Sequence, residues 1–244
     1  MLATAQATKN EITLKGSVAT VTAFFRHALS SILYQRGIYA PESFEPVKAY
    51  GLTVMAVKED KLISYLQAVL QQFSGKRRNS FGAGLICAFL PSRGLRGPQL
   101  WHVCCHHHHA EWLEGGALQK VVLVVTGVAS KEVLERWTFD IQTDKGVVAG
   151  SAALPEKAES QITQEIQAII RQITASVTFL PLLQDACTID LLAYTDKENA
   201  VPLDWEESDP RYITGAADVK LRAFSTKVHN VEALVSYKAD DDLL

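Results

Sequence analysis

The sequence predicts an α+β fold, with three helices packed on one face of a central antiparallel sheet and the last strands following a long polar loop. Two observations carry this. Three segments repeat apolar residues at the 3.6-residue period of a helix with one buried stripe. Three others are continuous or alternating apolar runs of strand length. Helices and strands in that mixed order suit helices layered on an antiparallel sheet.

Ile12 to Gly16 reads as a short β-prone lead-in, and Ser17 as the N-cap of the first helix. Val18, Val21, Phe25, Ala28, Leu29 and Ile32 form its stripe, and Gly37 supplies the stop. Pro41 and Pro46 mark an irregular link. Leu52 to Val57 is a strand or the start of a turn. Leu62, Leu66, Val69, Leu70 and Phe73 make the second stripe. Val121 to Val125 is uninterruptedly apolar, as a strand covered on both faces would be. Trp137, Phe139 and Ile141 alternate with polar residues over the strand Leu134 to Gln142. Asp144 to Pro155 is a loop. Ile162, Ile166, Ile169, Ile170, Ile173 and Val177 line the third helix, which Pro181 ends. Thr188 to Tyr194 is a further strand. Val201 to Ala217 carries two prolines and scattered acids and reads as a long exposed loop. Val219 to Phe224 and Val231 to Lys238 are the closing β runs, and the acidic tail frays. His27 falls between stripe positions and is read as exposed; His229 interrupts a β run and receives no role.

The chain has 244 residues, 48% hydrophobic and 21% charged, which suits a soluble globular protein. Its 24 basic and 27 acidic residues leave a net charge of −3, so the balance carries no nucleic-acid footprint. No apolar run reaches the roughly 18 residues of a membrane span, and Met1 to Asn10 lacks a signal-peptide core. The expectation is an intracellular, reduced protein without cofactor. Catalysis is not expected either. There is no glycine-rich phosphate loop, GxSxG or HExxH, and the carboxylates are scattered without a defensible pair.

Five longer stretches are specific: SILYQRGIY (Ser31 to Tyr39), EVLERWTFDI (Glu132 to Ile141), IIRQITASVTFLPLL (Ile169 to Leu183), LLAYTDK (Leu191 to Lys197) and WEESDPRYIT (Trp205 to Thr214). In this order they resemble the HORMA-domain family, and within it the spindle-checkpoint branch. The likeness runs from about Ile12 to Phe73 and again from Glu111 to Lys238, which makes a single domain of about residues 12–238. It implies a conformational switch: a mobile C-terminal safety belt clasps a partner peptide that adds a strand to the sheet. The peptide-docking strand would be Thr188, Ile189, Asp190, Leu191, Leu192, Ala193 and Tyr194, whose edge is a template for another strand. The belt would include Val201, Trp205, Tyr212, Ile213, Val219, Leu221 and Phe224, and its end would pair in either of two places. Arg36, Arg171, Gln172, Thr178 and Phe179 match a partner and dimer surface. On pattern alone Arg171 and Gln172 would be a plain solvated face, and Phe179 could be a helix-end staple into the core, whereas the resemblance implies that it lies outside. Leu14, Trp112 and Trp137 match a core that repacks between states. The implied partners are the checkpoint protein mitotic-arrest-deficient one, the anaphase-promoting-complex activator cell-division-cycle twenty, a HORMA-like silencing protein and a second copy in another conformer. The implied locations are the nucleus, the kinetochore and the cytoplasm. The family also contains an adaptor subunit of a translesion DNA polymerase, the alternative reading.

Gly75 to Ala110 is unlike the rest. It holds three of the four cysteines, five of the seven histidines and no acidic residue, and its apolar residues follow no period. The family pattern has no room for it, and the expectation is a retained intron. Ser74-Gly75-Lys76 can be encoded by a splice-donor sequence and Ala110-Glu111 by an acceptor. A gene whose exon runs unbroken through these codons, with no shorter transcript, would sink that reading. The rival is a zinc site built on Cys104, Cys105 and His106 to His109, but contiguous ligands cannot all reach one tetrahedral ion.

Overall fold

The computed structural model describes residues 12–74, 112–153, 156–196 and 208–239. Helix α1 (Leu14–Gln35) begins earlier than its stripe suggests. The cap is Thr13, whose hydroxyl accepts the Gly16 amide at 3.1 Å, so the β-prone lead-in is already helix from Leu14. Ser17 is not the cap; it lies inside α1, fully buried. Gly37 does end the helix, in the left-handed region at φ +61.

Strands β1 (Phe44–Ala49) and β2 (Leu52–Val57) pair as a separate hairpin. Its two-residue turn, Tyr50 and Gly51, takes positive φ at both positions, the twist-matching geometry of a tight hairpin. The link read as irregular therefore contains a strand. Pro46 is admitted because, among the described residues, β1 has a neighbour on one side only.

Helix α2 (Asp60–Ser74) buries Leu62, Leu66, Val69, Leu70 and Phe73, as its stripe predicts. Its last turn continues across the intervening segment 75–110, which lies outside the described residues. The Leu113 amide donates to the Phe73 carbonyl at 3.1 Å. Ala117 then donates to the Trp112 carbonyl at 2.7 Å and Gly116 to that of Leu113 at 3.2 Å, with Gly116 at φ +67. That pair of bonds around a left-handed glycine is a Schellman C-cap. The Phe73 and Trp112 rings also lie close, at 6.3 Å. Thus α2 and its own terminal cap meet in space although 75–110 separates them in sequence.

The main sheet has the order β5-β3-β4-β7-β6, every neighbour antiparallel. It comprises β3 (Leu118–Gly127), β4 (Val133–Thr143), β5 (Cys187–Thr195), β6 (Ala216–Ser225) and β7 (His229–Lys238). A single turn of helix, α3 (Lys145–Val148), capped by Asp144, occupies the stretch read as loop. Helix α4 (Glu159–Ala175) ends before Pro181, and Val177, read as part of its stripe, is 42% exposed in the turn beyond.

One face of the sheet meets the helices through Val121, Leu123, Val125, Trp137, Phe139, Ile141, Ile189 and Leu191, all buried. Phe24 sits among Phe25, Phe139 and Phe224 at ring separations of 4.8–5.8 Å. These tilted and edge-on contacts add about 0.5–1.5 kcal/mol per pair beyond area burial. On the other face Val122 and Val124 are also fully buried, so β3 is covered on both sides, as its continuous apolar run requires.

Candidate functional site

The strand read as peptide-docking lies at the sheet margin. β5 pairs with β3 along its length, and among the described residues nothing pairs with its outer edge. Cys187, Ile189 and Leu191 point to the helix core, which alternation then denies to Thr188, Asp190, Leu192 and Tyr194. The outer edge leaves main-chain donors and acceptors for an added strand.

The second face explains what covers Val124. Asp190, Val124 and Arg136 are directly opposite one another on β5, β3 and β4, and Ser236 and Asp218 continue the same rung onto β7 and β6. The segment Pro210–Tyr212 crosses this rung. Arg211 Nη1 lies 2.5 Å from Asp190 Oδ2, while the Pro210 carbonyl accepts Arg136 Nε at 3.1 Å. The Arg136 guanidinium also stands 4.6 Å from the Tyr212 ring centroid, a cation–π contact. The segment therefore lies over the second face between β4 and β5, with Pro210 and Tyr212 on the β4 side and the Arg211 side chain reaching β5. Of the belt residues read from sequence, Val201 and Trp205 lie outside the described residues. Tyr212 is exposed and Ile213 half-buried in the crossing segment. Val219, Leu221 and Phe224 belong to β6, where Leu221 and Phe224 are buried in the core.

The β6–β7 hairpin occupies one of its two expected places: beside β4, at the opposite margin from β5. Two clusters hold it there. In the first, Lys157 Nζ is buried and donates to both Glu165 carboxylate oxygens, at 2.7 and 2.8 Å, and to the Ser225 carbonyl at 2.6 Å. Burial works against Glu165 ionising, but hydrogen bonds from Lys157 and the Ser225 amide, with the Lys157 charge, prevail and hold its carboxyl below the usual range. The second is entirely buried. His229 Nδ1 lies 2.6 Å from Ser17 Oγ, which lies 2.5 Å from Thr226 Oγ1, and His229 Nε2 lies 3.0 Å from the Leu113 carbonyl. Gln172 adds a further tie, its Oε1 accepting the Arg222 amide at 2.6 Å where β6 bulges.

The residues matched to a partner surface separate. Arg171, Thr178 and Phe179 are exposed, and Phe179, with Val177 and Leu182, forms an apolar patch after α4. Gln172 is half-buried in the tie to β6. Arg36 is placed differently. Its side chain is 3% exposed and ion-paired to Glu135 at 2.5 Å, and it donates to the Pro181 carbonyl. Trp137 Nε1 donates to the other Glu135 oxygen at 3.0 Å. Arg36 therefore fixes the turn bearing the patch from beneath. Trp112 and Trp137 are core, and Leu14 packs partly buried against that core. His27, read as exposed, stands edge-on to Tyr50 with its Nδ1 buried. His229 was given no role in sequence, and Glu135 and the Lys157–Glu165 pair were not singled out. The signal for His229 was its phase: it shares the inward alternation of Val231, Ala233 and Val235. Among the described residues no His, Cys, Asp or Glu group is arranged to hold a metal.

Among the described residues the helix-backed sheet leaves the outer edges of β5 and β6 unpaired, and a segment on its second face leads into the docked terminal hairpin. The comparisons place this architecture in a known family. The family model described as HORMA domain matches residues 17–80 and 108–229, and the chain belongs to the HORMA-domain family. It is 46% identical over 238 residues to the mitotic spindle assembly checkpoint protein MAD2A of Dictyostelium discoideum, covering 98% of each chain. With MAD2A of Homo sapiens the identity is 42% over 227 residues and 93% of each chain. Among solved structures, a chain of the mitotic checkpoint complex superposes with a TM-score of 0.71 at 33% identity, covering 92% of this chain and 99% of that one. The Caenorhabditis elegans protein HTP-2 bound to a HIM-3 closure motif matches at 0.64 and 14% identity, covering 93% and 92%, a likeness of fold.

Proposed function

We propose that this protein is a non-catalytic spindle-checkpoint clasp. A partner peptide adds a strand to the open edge of β5, and the segment Pro210–Tyr212, which leads into the hairpin at the far margin, helps to hold it there. The carrying observation is the rung Asp190–Val124–Arg136 with Pro210–Tyr212 lying across it. A peptide beyond Asp190 would sit within the loop that this crossing closes. Its main chain would supply affinity, and its alternate side chains would fill pockets on either face.

The partners of this reading are mitotic-arrest-deficient one and the activator cell-division-cycle twenty, whose sequestration would restrain the anaphase-promoting complex until chromosomes attach. The patch of Arg171, Thr178 and Phe179 would receive a second copy or the HORMA-like silencing protein, at the kinetochore and in the nucleus and cytoplasm. Spindle-checkpoint relatives at 34–46% identity support this over the polymerase adaptor. The test is an anisotropy titration of labelled peptides from the two named partners, against the full chain and a chain lacking 75–110. Slow, tight binding by both supports the clasp and makes 75–110 a passenger. Binding by neither overturns the checkpoint assignment.

A further inference from the structure

We propose that His229 is a proton-sensitive latch: neutral, it locks the tip of the C-terminal hairpin against α1 and the cap of α2, and protonated, it releases the hairpin from β4.

The geometry assigns the proton. The Leu113 carbonyl can only accept, so Nε2 carries the hydrogen. Nδ1 is then bare and accepts the Ser17 hydroxyl. Ser17 Oγ in turn accepts the Thr226 hydroxyl, and Thr226 Oγ1 accepts the His229 backbone amide at 2.9 Å. Every polar atom of this ring of bonds is satisfied with the imidazole neutral. It joins three separate parts of the chain: the first turns of α1, the residues that cap α2, and the three-residue turn of the hairpin.

A second proton can be accommodated by hydrogen bonding but not by charge. With Nδ1 protonated, Ser17 would accept from it and pass its hydrogen to Thr226, which would turn to the His229 carbonyl at 3.2 Å. The chain of hydroxyls reverses and no bond is lost. What remains is a full positive charge on a side chain with 0% exposure, which costs far more than an exposed one unless an anion faces it. Among the described residues, the charged groups on the packed elements do not supply that anion. Lys15 and Lys227 are cations, both exposed. Asp144 is exposed and spends its carboxylate on the amides of Gly146 and Val147. Glu114, next to Leu113, is part-exposed and makes no hydrogen bond to the ring. Burial accordingly lowers the His229 pKa from the ordinary 6.5, opposed only by the Leu113 carbonyl.

The sign follows. A base whose docked pKa is lowered binds fewer protons docked than released, so the docked state gains stability with rising pH. The lock is whole above about pH 6.5 and weakens as pH falls from there toward the docked value. The Lys157–Glu165 clasp responds in a separate window, because Glu165 stays ionised until pH falls through its lowered value below 4.5.

The latch regulates the clasp proposed above, yet its test needs no peptide. Hydrogen exchange of the full chain would be followed by mass spectrometry from pH 7.5 to 5.5, with rates corrected for intrinsic pH dependence. The expected result is a loss of protection in 216–238 of several-fold, up to the roughly tenfold ceiling set by the unit between pH 5.5 and the ordinary 6.5, while 118–127 stays protected. His229→Gln can still donate to Leu113 and accept from Ser17, and should keep the hairpin protected with no pH response. His27→Gln should leave the response intact. Should His229→Gln fail to fold, a direct NMR titration of the His229 ring in the wild-type chain decides. A pKa at or above 6.5 overturns the latch, as does equal protection at both pH values, a response that survives in His229→Gln, or simultaneous loss of 118–127.

Discussion

Arg36, Glu135 and Trp137 show how one carboxylate organises a corner of the molecule. Glu135 accepts the guanidinium with one oxygen and the indole N–H with the other, both buried. Removing one member of such a set strands a desolvated charge, which costs about 3–5 kcal/mol. Glu135→Ala is therefore expected to lower urea stability by that amount and to loosen the turn held through Pro181, which lies beside the exposed Phe179. The chemistry at this scale was only partly legible in sequence. Arg36 follows Ile32 by four residues, in phase with the α1 stripe, so its burial was written in the periodicity. Its partner was not, because Glu135 is distant in sequence and an acid in a strand looks like an outward residue. His229 was hidden for the same reason: alternation assigns a face, but only the fold supplies Ser17 and Leu113 as its partners.

At the scale of elements, periodicity located α1, α2, α4, β3, β4 and β5 because each buries a regular stripe or face. It failed where local chemistry competes with a tertiary partner. Pro46 argued against a strand that β2 supplies from across a tight turn. Ser17 looked like a cap because a serine before an apolar run usually is one, but Thr13 already fills that role. Val177 continued the α4 period past the point where the helix ends. The junction at 75–110 follows the same physics. With those residues removed, Leu113 would stand four positions after Phe73, and their existing bond would be an ordinary helical one. The shortened chain should then extend α2 directly into its Schellman cap without repacking. Relief of loop closure is worth about 2–3 kcal/mol, or about 5–10 °C in Tm, which calorimetry of the two chains would read. An unchanged or lower Tm would mean that 75–110 contributes stability of its own.

For the molecule as a whole, the two margins of the sheet are mechanically linked. The crossing segment is anchored to β5 through Arg211 and to β4 through Arg136, and it leads directly into β6. Arg136 is the better anchor, buried and engaged with both Pro210 and Tyr212, whereas the Arg211–Asp190 pair is partly exposed and worth little alone. Arg136→Ala should thus raise the peptide dissociation rate about tenfold with little change in association, while Arg211→Ala should change either rate by less than about threefold. Stopped-flow competition measures both. Equal effects would mean that the crossing is held as a unit rather than at one point.

The meeting of Phe73 and Leu113 has a practical use. Two chain positions one helical turn apart form a socket into which a foreign domain with adjacent termini can be grafted. A fluorescent barrel exchanged for residues 75–110 would tag this protein inside its fold and leave the tail beyond β7 unencumbered.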